Sequence, residues 1–252
     1  MYRCLEALRS RFDQADVIHR GKNRIVIRWR RADSADSIII KMWSQPGLKG
    51  KLRRLLRNTS AANERRNLAR LSSANMAVPR PLGCCPVEPK IDGYTDALFM
   101  EDMGNCELST EYLQRLIRTG QDQQALRFES VLIEMAAQIL DAGMLDVDHG
   151  LSNTVVQESG RPVRLDLELA RRVIWPRLFA DMYGEMLGRL IGLHAFAVQP
   201  DVNRSTRFAE RLCERLRPPR RVLKRAGAYA RRMMRTQLDQ TGIDTRLVLP
   251  WD

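Results

Sequence analysis

Ser37-Ile38-Ile39-Ile40-Lys41-Met42-Trp43 is an apolar run broken by one lysine. Continuous rather than alternating hydrophobicity predicts a strand covered on both faces. Ser60 to Leu71 reads as a helix, with Leu68 and Leu71 spaced for one face. Val78-Pro79-Arg80-Pro81 ends that region, because proline lacks a donor and restricts its predecessor. Ala97 to Met100 forms a second apolar strand that runs into the polar turn Glu101-Asp102-Met103-Gly104. Downstream the period changes. Glu111 to Arg118 and Gln123 to Ala142 are predicted helices, the second carrying Leu126, Val131, Ile133, Met135, Ile139 and Leu140. Leu178 to Val198 reads as a core helix with Phe179, Met182, Met186, Leu190 and Leu193 inside. The chain is therefore α+β, with a strand-rich part over residues 1 to 103 and a helical part over 104 to 252.

Polar residues placed inside these apolar stretches carry the chemistry. Lys41 in a covered strand is costly unless its ammonium meets anions, and Glu64, on the following helix, is a candidate partner. Asp148 stands five residues before Asn153, and Asp166 follows Asn153 after 13 residues, within the apolar flank Leu165 to Leu167. Phosphoryl transfer uses such a set: one carboxylate to accept a hydroxyl proton, and an amide oxygen with a second carboxylate to hold Mg²⁺ on ATP. Taken singly, Asp148 and Asn153 also suit a turn, and Glu64 a surface ion pair. The order Lys41, Glu64, polar turn, Asp148, Asn153, Asp166 favours the chemistry.

The same order, with Val78-Pro79-Arg80-Pro81-Leu82-Gly83, Phe99-Met100-Glu101-Asp102-Met103-Gly104, Asp148 to Asn153 and Leu165-Asp166-Leu167-Glu168, resembles the lipopolysaccharide kinase family over roughly residues 15 to 200. These enzymes phosphorylate inner-core sugars, heptose or Kdo. The resemblance implies a two-lobed protein-kinase-like fold, with a hinge at the end of the first lobe and the catalytic loop in the second. It implies Lys41 on the ATP phosphates, Glu64 orienting it, backbone groups of Glu101 and Met103 at adenine, Asp148 as base, and Asn153 and Asp166 on Mg²⁺. Three departures stand out. Asp146 occupies the place where many kinases have His; Leu-Glu follows Asp166 where others have Phe-Gly; and the phosphate loop, Ile18 to Val26, holds the single glycine Gly21. Lys22, with Arg24, is a candidate to supply charge there in place of backbone amides.

Composition adds bounds. The chain has 252 residues, enough for a sizeable core. Five cysteines without C-x-x-C spacing suit reduced thiols in a cytosolic protein. The first residues, Met1 to Glu6, lack the apolar core of a secretory leader, and no run spans a membrane. The expected localisation is cytoplasmic. A net charge of +12 asks for an anionic partner. Basic residues gather at Lys49 to Arg57 and from Arg217 to Arg235. The second stretch, with Leu223, Tyr229, Met233 and Met234, reads as a basic helix able to lie on an anionic membrane face, the inner face of the inner membrane, or to pack on the helical part. The expected partner is lipopolysaccharide core or another phosphorylated glycolipid. Phosphorylation of another small molecule or of a protein, and a pseudokinase scaffold binding anionic partners, are the alternatives. A pure nucleic-acid binder explains the charge but not the motif order.

Overall fold

The computed structural model describes residues 2–30, 37–45, 47–56, 58–241 and 247–251. Arg57 of the first basic run lies outside the described residues, as do the side chains of Lys49 and Cys4. The chain divides into two compact units, one of Met1–Ser73 with Val78–Gly104, the other of Ala74–Ala77 with Asn105–Asp252.

The first unit begins with α1 (Tyr2–Ser10), followed by β1 (Asp16–Arg20), β2 (Arg24–Arg30), β3 (Ser37–Trp43), α2 (Gly47–Leu55), α3 (Ser60–Ser73), β4 (Pro81–Ile91) and β5 (Tyr94–Glu101). The strands form one antiparallel sheet in the order β1-β2-β3-β5-β4. Side chains alternate across a strand. Ile38, Ile40 and Met42 therefore join Ile25, Ile27, Ala97, Phe99 and the α1 residues Leu5 and Leu8 in one core. Lys41, opposite Leu98 in the ladder, faces the other way, toward α3. The apolar run of β3 is covered on both faces as its pattern predicts. Cys85 joins the core, while Cys84 is half-buried. Asp92 and Gly93, at φ +47° and +79°, make the tight turn from β4 to β5, for which an Asp-Gly pair is suited.

The second unit contains β6 (Cys106–Leu108), α4 (Ser109–Arg118), α5 (Asp122–Asp141), β7 (Met144–Leu145), β8 (Thr154–Gln157), β9 (Pro162–Arg164), β10 (Arg171–Arg172), α6 (Ala180–Ala197), α7 (Val202–Leu216) and α8 (Arg220–Thr241). In α5 the buried face is Ala125, Phe128, Leu132, Ile133, Met135, Ala136 and Ile139. Leu126 and Val131, part of the helical period read from the sequence, are exposed. The buried face also holds a carboxylate, that of Glu129, which is fully buried. Arg204 Nε lies 2.6 Å from its Oε1 and His194 Nε2 3.1 Å, and Arg211 donates to its Oε2. One buried anion thus ties α5, α6 and α7 together. Burial raises the Glu129 carboxyl, but the bond to His194 and the charge of Arg204 outweigh it and hold it below the ordinary range. His194 is fully buried and stacks on Phe208 at 3.9 Å.

α8 turns Val222, Ala226, Ala230 and Met234 inward, at four-residue steps. It approaches α6 so closely that a Cβ on Gly188 would sit 2.5 Å from the Ala226 carbonyl oxygen. Leu223, Tyr229 and Met233 are half-buried rather than presented on an open apolar face. Phe179, expected inside, precedes α6 and is exposed.

Candidate active site

The first unit buries an ion pair. Lys41 Nζ lies 3.0 and 2.7 Å from the two carboxylate oxygens of Glu64, with the residues 4% and 1% exposed. The pleat of β3 and the register of α3 bring them together across 23 residues of sequence. The ammonium also lies 5.1 Å from the Trp43 ring centre. A dry pair of this kind costs desolvation, so its retention suits a lysine pre-aimed for phosphate oxygens.

At the end of β5 the N–H of Glu101 donates to the Arg80 carbonyl (3.0 Å), while its carboxylate accepts the Arg80 N–H (2.7 Å). Asp102, not singled out in the sequence, braces this turn. It accepts from Arg28 Nε (2.7 Å), the Gly104 N–H (3.0 Å) and the Ser37 hydroxyl. Burial raises the Asp102 carboxyl, but the Ser37 and Arg28 bonds outweigh it and hold it low. Met103 is half-buried in the same turn. Lys22 is exposed at the tip of the β1–β2 hairpin, which Gly21 N–H closes onto Arg24 O at 2.8 Å.

In the second unit, residues 146–153 fold around a fully buried guanidinium. Arg164 Nε lies 3.1 Å from Asp146 Oδ2, Nη2 donates to the same oxygen and to the Asp148 carbonyl (3.1 Å), and Nη1 donates to the carbonyls of Asn153 (2.6 Å) and Leu165. Asp146 also accepts the Asp148 N–H at 3.2 Å. Burial pushes the Asp146 carboxyl up, opposed by Arg164. Asp148 is half-buried and meets Arg189 Nη2 of α6 at 3.2 Å from its Oδ1. Gly150 permits α6 to approach, since a Cβ there would meet Leu193 Cδ1 at 2.4 Å.

The donors for a divalent cation are suitable. Asn153 Nδ2 donates to the Asp148 carbonyl at 3.1 Å, which leaves the amide oxygen as the acceptor. Asp166 is half-buried and held at φ +54°, a left-handed conformation costly for a non-glycine residue and common at functional sites. Hard oxygens of this type suit Mg²⁺. Glu168 is half-buried two residues on.

Sequence reasoning did not single out Arg164 and Arg189. Arg164 is two residues before Asp166, just as Asp146 is two before Asp148. A charged residue set into the apolar flank Pro162-Val163 was the available signal. Arg189 gives no local signal, since its partner is 41 residues away.

His149 is fully buried, and neither ring nitrogen has a hydrogen-bond partner among the described residues. Burial first, then the Arg164 charge, push its pKa down to about 3. The imidazole folds neutral, while an unfolded His charges below about 6.5. Stability is therefore intact above that value and declines as the pH falls toward 3. His149 alone is expected to cost about 2 kcal/mol between pH 7 and pH 5. Melting curves of wild type and His149→Leu over that range should converge as the pH rises and diverge as it falls; parallel curves would remove His149 as the source.

The lipopolysaccharide kinase (Kdo/WaaP) family model matches residues 12–177. A solved structure of WaaP in complex with acyl carrier protein superposes with a TM-score of 0.62 at 17% identity, covering 92% of each chain. ROP2 from Toxoplasma gondii, a virulence factor with a protein-kinase fold and no enzymatic activity, matches with a TM-score of 0.51 at 13% identity, over 89% of this chain and 80% of its own. No curated protein sequence matches. Identities this low carry the fold alone, and that fold is protein-kinase-like.

Proposed function

Since the chain belongs to the lipopolysaccharide kinase (Kdo/WaaP) family, we propose that it is an ATP- and Mg²⁺-dependent kinase that phosphorylates a sugar hydroxyl, heptose or Kdo, of the lipopolysaccharide inner core. Asp148 accepts the hydroxyl proton. Its side chain is held from outside the loop by Arg189, and its backbone from inside by Arg164. Lys41, kept in place by Glu64, grips the ATP phosphates. Asn153 and Asp166 hold the metal, which when bound neutralises charge on the transferring phosphoryl group. Backbone groups of Glu101 and Met103 receive adenine, and Lys22 brings a cation to the glycine-poor hairpin. Positioning and charge stabilisation supply most of the rate. The reaction belongs on the cytoplasmic side, where ATP is available.

The observation that carries this reading is the buried Lys41–Glu64 pair at 2.7 Å together with a loop that places Asp148 and Asn153 around one guanidinium. The pseudokinase alternative draws on the glycine-poor hairpin and on Leu167-Glu168 after Asp166. A calorimetric titration of ATP separates the two. Mg²⁺-dependent binding is expected, and Lys41→Ala should weaken it about tenfold or more, the loss of a charge-assisted contact. Binding that ignores both the metal and the substitution would contradict the assignment, and a folded protein that takes no nucleotide would favour the scaffold.

A further inference from the structure

The helix α2 shows an apolar face that nothing among the described residues of its unit covers. Leu48, Leu52 and Leu55 are 83%, 54% and 79% exposed, and Leu56, in the turn that follows, is 66% exposed. Scattered exposed leucines are ordinary, but four in nine consecutive residues form a patch. With 3.6 residues per turn, Leu48, Leu52 and Leu55 fall within about 60° of one another. The helix is fastened by its opposite side. Gly50 is buried against Gln45, where a Cβ would meet the carbonyl oxygen at 1.9 Å. Arg54, one turn later, reaches the Gln45 carbonyl at 3.5 Å and Asp96 at 3.9 Å. The leucines therefore point outward because the other face is pinned, not because the helix is loose. Lys51 borders the leucine stripe about 40° from Leu55, Arg53 lies on the other side about 100° from Leu52, and both are exposed. No Asp or Glu occurs between Asp36 and Glu64.

We infer that α2 is an interfacial anchor that seats Leu48, Leu52, Leu55 and Leu56 in the surface of an anionic lipid leaflet, with Lys51 and Arg53 on the headgroups. A convex helix with a leucine stripe bordered by cations fits a bilayer surface, which closes around it, better than it fits the groove a protein partner must supply. The acidic group at its pinned side, Asp96, is 3% exposed and engaged with Thr95 and Arg54, so it does not oppose the approach. In α8 the corresponding apolar positions are taken up by packing on α6, which leaves that helix only its charge to offer. The inference stands on α2 alone and holds whatever the acceptor of the phosphoryl group.

Co-sedimentation of the full chain with vesicles tests it. Vesicles of phosphatidylglycerol and phosphatidylcholine should carry the protein down, and phosphatidylcholine alone should carry at least tenfold less. Leu48→Ser/Leu52→Ser/Leu55→Ser should lower partition to the anionic vesicles by about tenfold or more, with its melting temperature and ATP binding unchanged, because these side chains support no packing. Lys51→Glu/Arg53→Glu should erase the preference for anionic lipid. Sedimentation of the triple-serine variant equal to wild type would overturn the inference. So would a wild-type chain that ignores anionic vesicles, including one that instead binds an acidic protein in solution through these leucines.

Discussion

Asp148→Asn is expected to lower phosphoryl transfer by about 10²–10⁴-fold, the usual contribution of a positioned general base. Nucleotide affinity should stay within about twofold. The amide matches the carboxylate in shape but cannot take up the acceptor's proton. The loop should keep its form, since what holds it is Arg164 on the backbone carbonyls of Asp148 and Asn153 and Asp146 on the Asp148 N–H, none of which uses the Asp148 side chain. The contact with Arg189 at 3.2 Å loses its charge but not its acceptor oxygen. A turnover assay paired with ATP titration separates the two effects. Wild-type turnover in this variant would remove Asp148 from the chemistry, and a parallel loss of ATP binding would make its role structural.

Arg164→Leu should have the largest effect on the fold. The guanidinium is fully buried and serves one carboxylate and three carbonyls. Its removal strands Asp146, whose carboxyl is already pushed up by burial. A charge left alone in that position costs about 3–5 kcal/mol, which for units of this size corresponds to a fall in Tm of about 10 °C. Activity should fall as well, because the carbonyls of Asp148 and Asn153 lose their common donor. The double variant Arg164→Leu/Asp146→Leu should recover most of the lost stability, since no stranded charge remains, and should stay inactive, since nothing then organises the loop. A single variant that melts like wild type would show that the loop holds itself, and a double variant with restored turnover would show that Arg164 serves stability alone.

Much of the candidate site was legible because its spacing is local. Asp148 and Asn153 share one loop, Asp166 follows a short hairpin, and Lys41 is conspicuous in a run of isoleucines. The pairing of Lys41 with Glu64 was readable for a second reason: the periods of β3 and α3 each leave one charged residue on the inner face. The frame around these residues was not legible. Arg164 works through backbone carbonyls, which have no sequence signature, and Asp146 looked like a departure from a pattern until its partner was in place. Arg189 and the Glu129 group depend on how α5, α6 and α7 meet, which periodicity does not specify. The exposure of Leu126 and Val131 has the same origin: a helical count of apolar residues locates a stripe but neither its centre nor how far along the helix it is covered. In α2, the leucines resemble core positions by type. Their exposure follows from Gly50 and Arg54 pinning the opposite face, a fact of packing.

The central claim is that this chain moves phosphate from ATP to a core sugar. Its most direct test is transfer of label from γ-³²P-ATP, with Mg²⁺, to lipopolysaccharide core stripped of its phosphates, with Asp148→Asn run in parallel. The account predicts label on the core sugar in the wild-type reaction and about 10²–10⁴-fold less with the variant. Unlabelled core from a protein that binds Mg²⁺ and ATP, or label equal in both reactions, would contradict it.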